Sequence, residues 1–442
     1  MKTLSNPCRK PAAVRRAGGY LFLLADFHLS YRHRTMRAVV CALWVLTTAS
    51  CAHAAASLTL LTWLPGDNFN YNTTGVSGDG SVVVGTSGYD TLGYGYFYQA
   101  FRWTAGSGMV NLGYLLPGGY RESLASGVSG DGSVVIGNGF RWTAGTGMVG
   151  LGHLPGGTYS SPNGISADGS VIVGSASSTS GNQAFRWTAG SGMVGLGYLP
   201  GSTNSSANGV SADGSVVVGT SSSGSGSQAF RWTASSGMVG LGGNSSSATA
   251  VSGDGSIVVG NNNGQAFRWT AGSGMVGLGY LSSATAVSGD GSIVVGNNYY
   301  GQPFRWTAGS GMQSLRDVLV TNGLNLDPDE VLTAASGISA DGNTIVGTDY
   351  YSTPDYTEEF GFVAYLPGLI GVNPVLSIHS WSSAAHHLVL SWSTNYSGCT
   401  LQSSTGLGST NWTDCASPAV SGASFVVTNS MSVGAQFFRL KR

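Results

Sequence analysis

Charge is scarce in this 442-residue chain: Asp, Glu, Lys and Arg together make up 9% of it, where globular domains carry about 25%. Glutamate is confined to Glu122, Glu330, Glu358 and Glu359. So few Glu and Lys beside so much Gly, Ser, Thr and Val exclude long helices. The 70 glycines show no Gly-X-Y period, which excludes collagen. The shortage of charge does not mean disorder. Hydrophobic residues reach 42% and there are 11 Trp, whereas disordered chains are poor in aromatics and rich in charge. What is left is an all-β chain with many tight turns, long enough for two to four domains.

The formal net charge of -1 hides an asymmetry. Eight of the 19 basic residues precede residue 56, against one acid, Asp26. The remainder carries 11 basic and 19 acidic residues. That excess of acid argues against nucleic acid as a partner, because phosphate binding needs a basic surface. Arg32-His33-Arg34-Thr35-Met36-Arg37 is a basic n-region. Ala38 to Ser50 is an apolar stretch of 13 residues, and Ala52-His53-Ala54 fits a small-x-small cleavage site. This reads as a secretory signal peptide over 36–54, too short to span a membrane. Met36 offers it a compact start, which leaves residues 1–35 as a mis-called start. Thr48-Ala49-Ser50-Cys51 weakly resembles a lipobox, so lipidation of Cys51 ranks second to simple cleavage. Either way the mature protein is expected to be secreted or held at the cell surface.

A repeat fills residues 55–367. Ser-(Gly/Ala)-Asp-Gly followed by a Val/Ile run occurs seven times, at Asp79, Asp131, Asp168, Asp213, Asp254, Asp290 and Asp341. Phe-Arg-Trp-Thr-Ala occurs six times and brings Arg102, Arg141, Arg186, Arg231, Arg268 and Arg305. Phe360 to Val363 is a worn seventh copy. Each unit reads as four short strands, A to D. Asp-Gly turns A into B, a strong hairpin signal. B is apolar at consecutive positions and so buried on both faces. Phe and Trp share one face of C. Four strands per unit of roughly 40 residues describe a β-propeller, with a β-solenoid as the runner-up. Seven A–B hairpins make seven blades. No proper D strand follows the last C strand, whereas Leu58 to Leu64 is D-like and precedes the first hairpin. The N-terminal strand is therefore expected to complete the seventh blade. The Phe and Trp should pack between blades. The Arg points to the other face, where six Arg and seven Asp in near register suggest a ring of ion pairs.

The units resemble the HAF-type probable extracellular repeat of secreted and surface bacterial proteins, over roughly residues 58–367. The likeness lies in Ala-Phe-x-Trp, Leu-Gly-x-Leu-Pro-Gly-Gly and Ser-x-Asp-Gly-x-x-Val-Gly. The His that gives the family its name is Gln here, at Gln99, Gln183, Gln228 and Gln265. The resemblance implies secretion and a repeat scaffold, and no assigned reaction.

Residues 368–374 form a Gly/Pro linker, and 375–442 read as a small C-terminal β-sandwich of longer alternating strands. Leu-Gln-Ser-Ser, Asn411-Trp412-Thr413 and the Phe-Phe-Arg-Leu ending make it similar to the fibronectin-like C-terminal module of secreted planctomycete and verrucomicrobial proteins. Cys399 and Cys415 are left as a pair in an oxidising compartment, with 15 residues between them, and are expected to form a disulfide.

No catalytic constellation is visible. His153, His379, His386 and His387 lack metal-ligand spacing. One carboxylate per Asp-Gly turn is a turn former rather than a calcium loop. No cofactor or metal is expected, and the chain is read as a monomer. Two function classes remain: a non-catalytic binding or structural scaffold, and a secreted propeller enzyme acting on polysaccharide. The B–C and D–A loops vary in length on one face and carry Tyr94, Tyr96, Tyr98, Tyr120, Tyr159, Tyr299, Tyr300, Tyr350 and Tyr351. Tyrosine with amide and hydroxyl groups suits neutral glycan or an envelope protein.

Overall fold

The computed structural model describes residues 56–367, apart from residue 68 and segments 91–95, 116–121, 328–329 and 353–356, and the strands with a few adjoining residues between 377 and 441. Residues 1–54, with the expected signal peptide and Cys51, lie outside the described residues. So do the linker, Tyr94, Tyr120 and Cys399.

The fourth unit shows how the repeat folds. Asn204–Val210, Val216–Ser223, Gly226–Thr233 and Gly237–Gly240 form one antiparallel sheet in chain order. Val217 and Val218 are wholly buried in the second strand, as consecutive apolar residues dictate. The A–B turn is held by side chains. Ser211 Oγ donates to Asp213 Oδ1 at 2.6 Å and accepts from Val216 N at 3.0 Å, and Ser215 N donates to Asp213 Oδ1 at 3.0 Å. Both central residues of an Asp-Gly turn tolerate positive φ. Only Gly214 has it, at 72°, within a loop closed by Gly214 N donating to Ser211 O. A Cβ at Gly214 would also lie 2.5 Å from Val171 of the preceding blade, so this glycine answers both strain and crowding.

Seven such sheets form a seven-bladed β-propeller within one compact unit, Ala54–Leu369. The seventh is composite. Glu330–Ile338, Thr344–Ser352 and Thr357–Tyr365 are joined by the N-terminal strand Ser57–Leu61, with Leu58 opposite Ala364. Seven apolar clusters sit between the blades, one at each interface. Phe230, Trp232 and Met238 of the fourth blade pack on Val171, Val173 and Ala184 of the third. Phe101, Trp103 and Met109 of the first meet Val346, Val363, Leu61 and Leu64 of the seventh. That last cluster closes the ring, which removes the exposed edges of an open array. Phe101, Phe140, Phe185 and Phe230 are fully buried, whereas the tryptophans beside them are half-buried.

A helix that the sequence reading missed, Leu315–Thr321, lies between the sixth and seventh blades. Ser314 caps it and accepts from Asp317 N, while Leu315, Val318 and Leu319 are buried. Their i, i+3, i+4 spacing after a Ser-x-x-Asp start was the available signal.

The C-terminal segment is all β. Ser377–Ser382, His387–Ser393, Ser424–Ser430 and Ala419–Ser421 make a four-stranded sheet. Thr400–Ser404 pairs with Thr413–Asp414 and with Phe437–Lys441 in a second sheet. Cys415 carries a free thiol among the described residues, and its expected partner Cys399 lies outside them. Cys415 N donates to Leu401 O at 2.8 Å. Burial pushes the Cys415 thiol above its ordinary range.

Candidate functional site

The propeller offers three regions: the wall of the central channel, the face carrying the A–B and C–D turns, and the opposite face carrying the B–C and D–A loops. In every blade the innermost strand carries a β-bulge against its neighbour. The bulged residues are Thr74, Ser126, Asn163, Asn208, Thr249, Thr285 and Ser336. Each side chain donates to a backbone carbonyl of the next blade. Thr74 reaches Ala125 at 2.9 Å, Ser126 reaches Pro162 at 2.7 Å and Asn163 reaches Ala207 at 2.9 Å. Asn208 reaches Ala248 at 2.7 Å, Thr249 reaches Ala284 at 2.8 Å and Thr285 reaches Ala335 at 2.8 Å. Ser336 returns to Thr73 of the first blade. The bulge re-aims one polar side chain per blade, and the result is a closed chain of hydrogen bonds around the channel. These donors are engaged in linking neighbouring blades.

On the A–B face six turn aspartates are occupied by the two serines of their own turn, and Asp341 by Ser339 and Asn343. The Ser166 hydroxyl and then the Ser170 N–H hold Asp168 down to about 2, and Ser211 and Ser215 do the same for Asp213. The expected ring of ion pairs is not seen among the described residues. The arginines take backbone oxygen instead. Arg102 Nε donates to Gly132 O at 3.3 Å, Arg186 Nε to Gly214 O at 3.4 Å and Arg231 Nε to Gly255 O at 3.4 Å. The acceptor is the glycine that follows the neighbouring blade's aspartate. The reason is local: the carboxylate is turned toward the two serines that form its turn. Arg141, Arg268 and Arg305 occupy the same place with Nε unpartnered.

Two carboxyls are buried elsewhere. Asp67 accepts from Gln99 Nε2 at 2.9 Å, and burial raises its pKa against its hydrogen bonds from Ser87 and Gln99. Asp349 is fully buried, and burial raises its pKa against the Tyr350 N–H and the Arg316 charge. Asp67 contacts first-blade residues, whereas Asp349 faces the helix before the seventh blade. They are not brought together as a pair. Among the described residues no three His, Cys, Asp or Glu cluster as metal ligands.

The loop face carries the exposed aromatics. Tyr299 and Tyr300, in the B–C loop of the sixth blade, are 75% and 80% exposed and meet edge to face at 5.6 Å. Tyr299 N donates to Leu281 O at 2.7 Å, which brings the D–A connection of the fifth blade alongside. Tyr280 there is 84% exposed and Leu281 is 58% exposed. The two residues were overlooked in the sequence. In the second and third units the matching leucines, Leu154 and Leu199, are followed by Pro-Gly and are buried. Here the outer strand Gly274–Tyr280 runs almost directly into Ser282–Val287, and Leu281 is left as the connector at φ 53°. The shortened loop turns an inward leucine outward.

The other predicted tyrosines are dispersed. Tyr159 is 47% exposed in the loop before the third blade, where its hydroxyl donates to Asn182 Oδ1 at 2.5 Å. Tyr98 and Tyr350 are half-buried on strands of the first and seventh blades. Tyr96 and Tyr351 lie within those same strands.

No family model and no curated protein matches the chain. Among solved structures it is similar to U3-55K, at 13% identity and TM-score 0.45 over 70% of this chain and 98% of that one. The Dos1 propeller is similar at 10% identity and TM-score 0.43, over 69% and 95%. TolB from Acinetobacter baumannii is similar at 12% identity and TM-score 0.33, over 65% and 80%.

Proposed function

We propose that this protein is a secreted or cell-surface, non-catalytic scaffold that binds neutral polysaccharide through the loop face of its propeller. The observation that carries the reading is the contiguous exposed patch of Tyr280, Leu281, Tyr299 and Tyr300. Tyrosine rings present flat apolar faces with a polar tip, which suits sugar rings and their hydroxyls. The segments that carry the patch, residues 280–283 and 298–302, hold Asn and Ser and no basic residue, which does not suit phosphate. Loops held on a rigid scaffold are where recognition usually sits, and a closed seven-bladed ring is such a scaffold. Export is supported by the n-region, apolar stretch and cleavage site of residues 32–54 and by the likeness to HAF-type repeats. No described helix is long and apolar enough to cross a membrane.

The test is a glycan-array screen of the secreted chain at neutral pH. Retention on one or more neutral polysaccharides is expected. Retention only on sulfated or phosphorylated glycans would contradict the reading, and so would capture on envelope protein without glycan.

A further inference from the structure

The seven inter-blade crevices on the A–B face are not alike. In six of them the arginine of Phe-Arg-Trp projects from one blade toward the A–B turn of the next. Arg102, Arg186 and Arg231 reach the turn glycine's carbonyl, and Arg305 is 5% exposed. In the crevice between the seventh and first blades, Val363 stands at that position. The register fixes the equivalence: Val346 faces Val363 as Val295 faces Arg305. Thr344 stands where the other blades place Val or Ile. Tyr365 stands where they place the Thr of Phe-Arg-Trp-Thr.

At this crevice lies an open pocket of about 520 Å³, lined among others by Thr59, Gly80, Trp103, Thr344, Val363 and Tyr365. Gly80 is the first blade's turn glycine, the counterpart of Gly132, Gly214 and Gly255. Its carbonyl has no arginine to accept from, because Val363 is too short and carries no donor. Trp103 supplies an aromatic wall, and hydroxyls such as those of Thr59, Thr344 and Tyr365 supply acceptors. Arg102 and Asp131 border the cavity over the first blade, where Arg102 already donates to Gly132.

We infer that this seventh crevice is a socket for an alkylguanidinium group supplied by another molecule. The chain itself supplies the precedent, since the same kind of crevice takes a guanidinium elsewhere in the ring. A backbone carbonyl gives the hydrogen bond, the tryptophan gives a cation–π surface and the apolar Val363 side accommodates the alkyl stem. The group would be an arginine side chain on a partner polypeptide or a small free guanidine. The socket lies on the face opposite the tyrosine patch and does not depend on the glycan reading.

The experiment titrates agmatine into the full chain by calorimetry, with putrescine and acetate as comparison probes. An N-acetylated, C-amidated arginine dipeptide distinguishes a peptide-borne from a free guanidine. Two variants are read in parallel. Val363→Arg restores the residue that six blades carry. It should abolish or weaken agmatine binding by about tenfold or more and raise the melting temperature. Thr344→Val restores the usual apolar residue, keeps the volume and should weaken binding while leaving the fold intact. Agmatine binding to the parent, weaker putrescine binding and loss in Val363→Arg are the expected results. No agmatine binding to the parent would overturn the inference. Equal binding to the parent and Val363→Arg, or preferential acetate binding, would overturn it too.

Discussion

Arg231 donates from Nε and from a terminal nitrogen to the carbonyl oxygen of Gly255 in the next blade, at 3.4 and 3.3 Å. The neighbouring carboxylate of Asp254 is not its partner, because Asp254 accepts from Ser252 Oγ at 2.6 Å and from Ser256. The contact between blades is thus charge to dipole. A double-mutant cycle of Arg231→Met and Asp254→Asn, followed by denaturant unfolding, should give a coupling energy below about 0.5 kcal/mol. Each single change should cost about 1–2 kcal/mol, for a lost hydrogen bond at the blade junction or in the turn. A coupling above about 1 kcal/mol that fades with salt would restore the ion pair.

The seventh blade depends on a strand from the other end of the propeller's sequence. Thr59 lies opposite Val363 in the ladder. Thr59→Pro removes a ladder donor and forces the strand off its edge position. It should cost about 3 kcal/mol or more and lower the melting temperature of the whole propeller, since the first and seventh blades then share an open interface. An unchanged melting curve would mean that the ring is closed by something else.

The bulge ring makes a graded prediction. Asn208→Ala removes one link, the hydrogen bond from Asn208 to the Ala248 carbonyl. It should cost about 1 kcal/mol, and Asn208→Ser, the residue found at two of the other bulges, should recover part of it. Equal loss in both variants would show that the ring contributes nothing and that backbone fit alone decides. By contrast Phe230→Ala, in the apolar layer, should cost about 3–5 kcal/mol.

Much of this architecture was legible because it repeats. The Asp-Gly turns, the buried Val runs, the Phe-Trp face and the closing N-terminal strand each follow from local residue pattern and a count of strands. The bulge ring was also written in the sequence, as Thr, Ser or Asn five residues before each turn aspartate. It escaped notice because a polar residue on an inner strand reads as solvated until the next blade's carbonyl is placed beside it. The acceptor chosen by the arginines was illegible for a similar reason. Sequence puts Arg and Asp in near register, but the two serines that capture the carboxylate act through turn geometry. In the candidate site Tyr299 and Tyr300 were visible as loop aromatics, whereas Tyr280 and Leu281 became exposed through a deletion whose effect depends on the strand path.

The acidic limb of stability has two opposed sources. Asp168 and Asp213 titrate near about 2 in the fold against an ordinary 3.8. Their contribution is therefore whole above the ordinary value and lost as pH falls through about 2. These carboxylates are largely in solvent, so each effect is small and the repeat makes it visible by summation. Burial raises Asp67 and Asp349, and their penalty grows as pH climbs past the ordinary value. Thermal melts from pH 2 to 7 should show the combined variant Asp168→Asn, Asp213→Asn flattening the acid loss. Asp67→Asn should instead raise stability at pH 7 relative to pH 3. Parallel curves for both variants and the parent would refute this assignment.

The central claim is that the fifth and sixth blades bind glycan through exposed tyrosine. It is tested most directly by titrating the parent chain and the triple variant Tyr280→Ala, Tyr299→Ala, Tyr300→Ala with the neutral polysaccharide retained most strongly. The account predicts measurable binding by the parent. It also predicts loss of about tenfold or more in the variant with an unchanged melting temperature, since these side chains are 75–84% exposed. Undiminished affinity in the triple variant would contradict it.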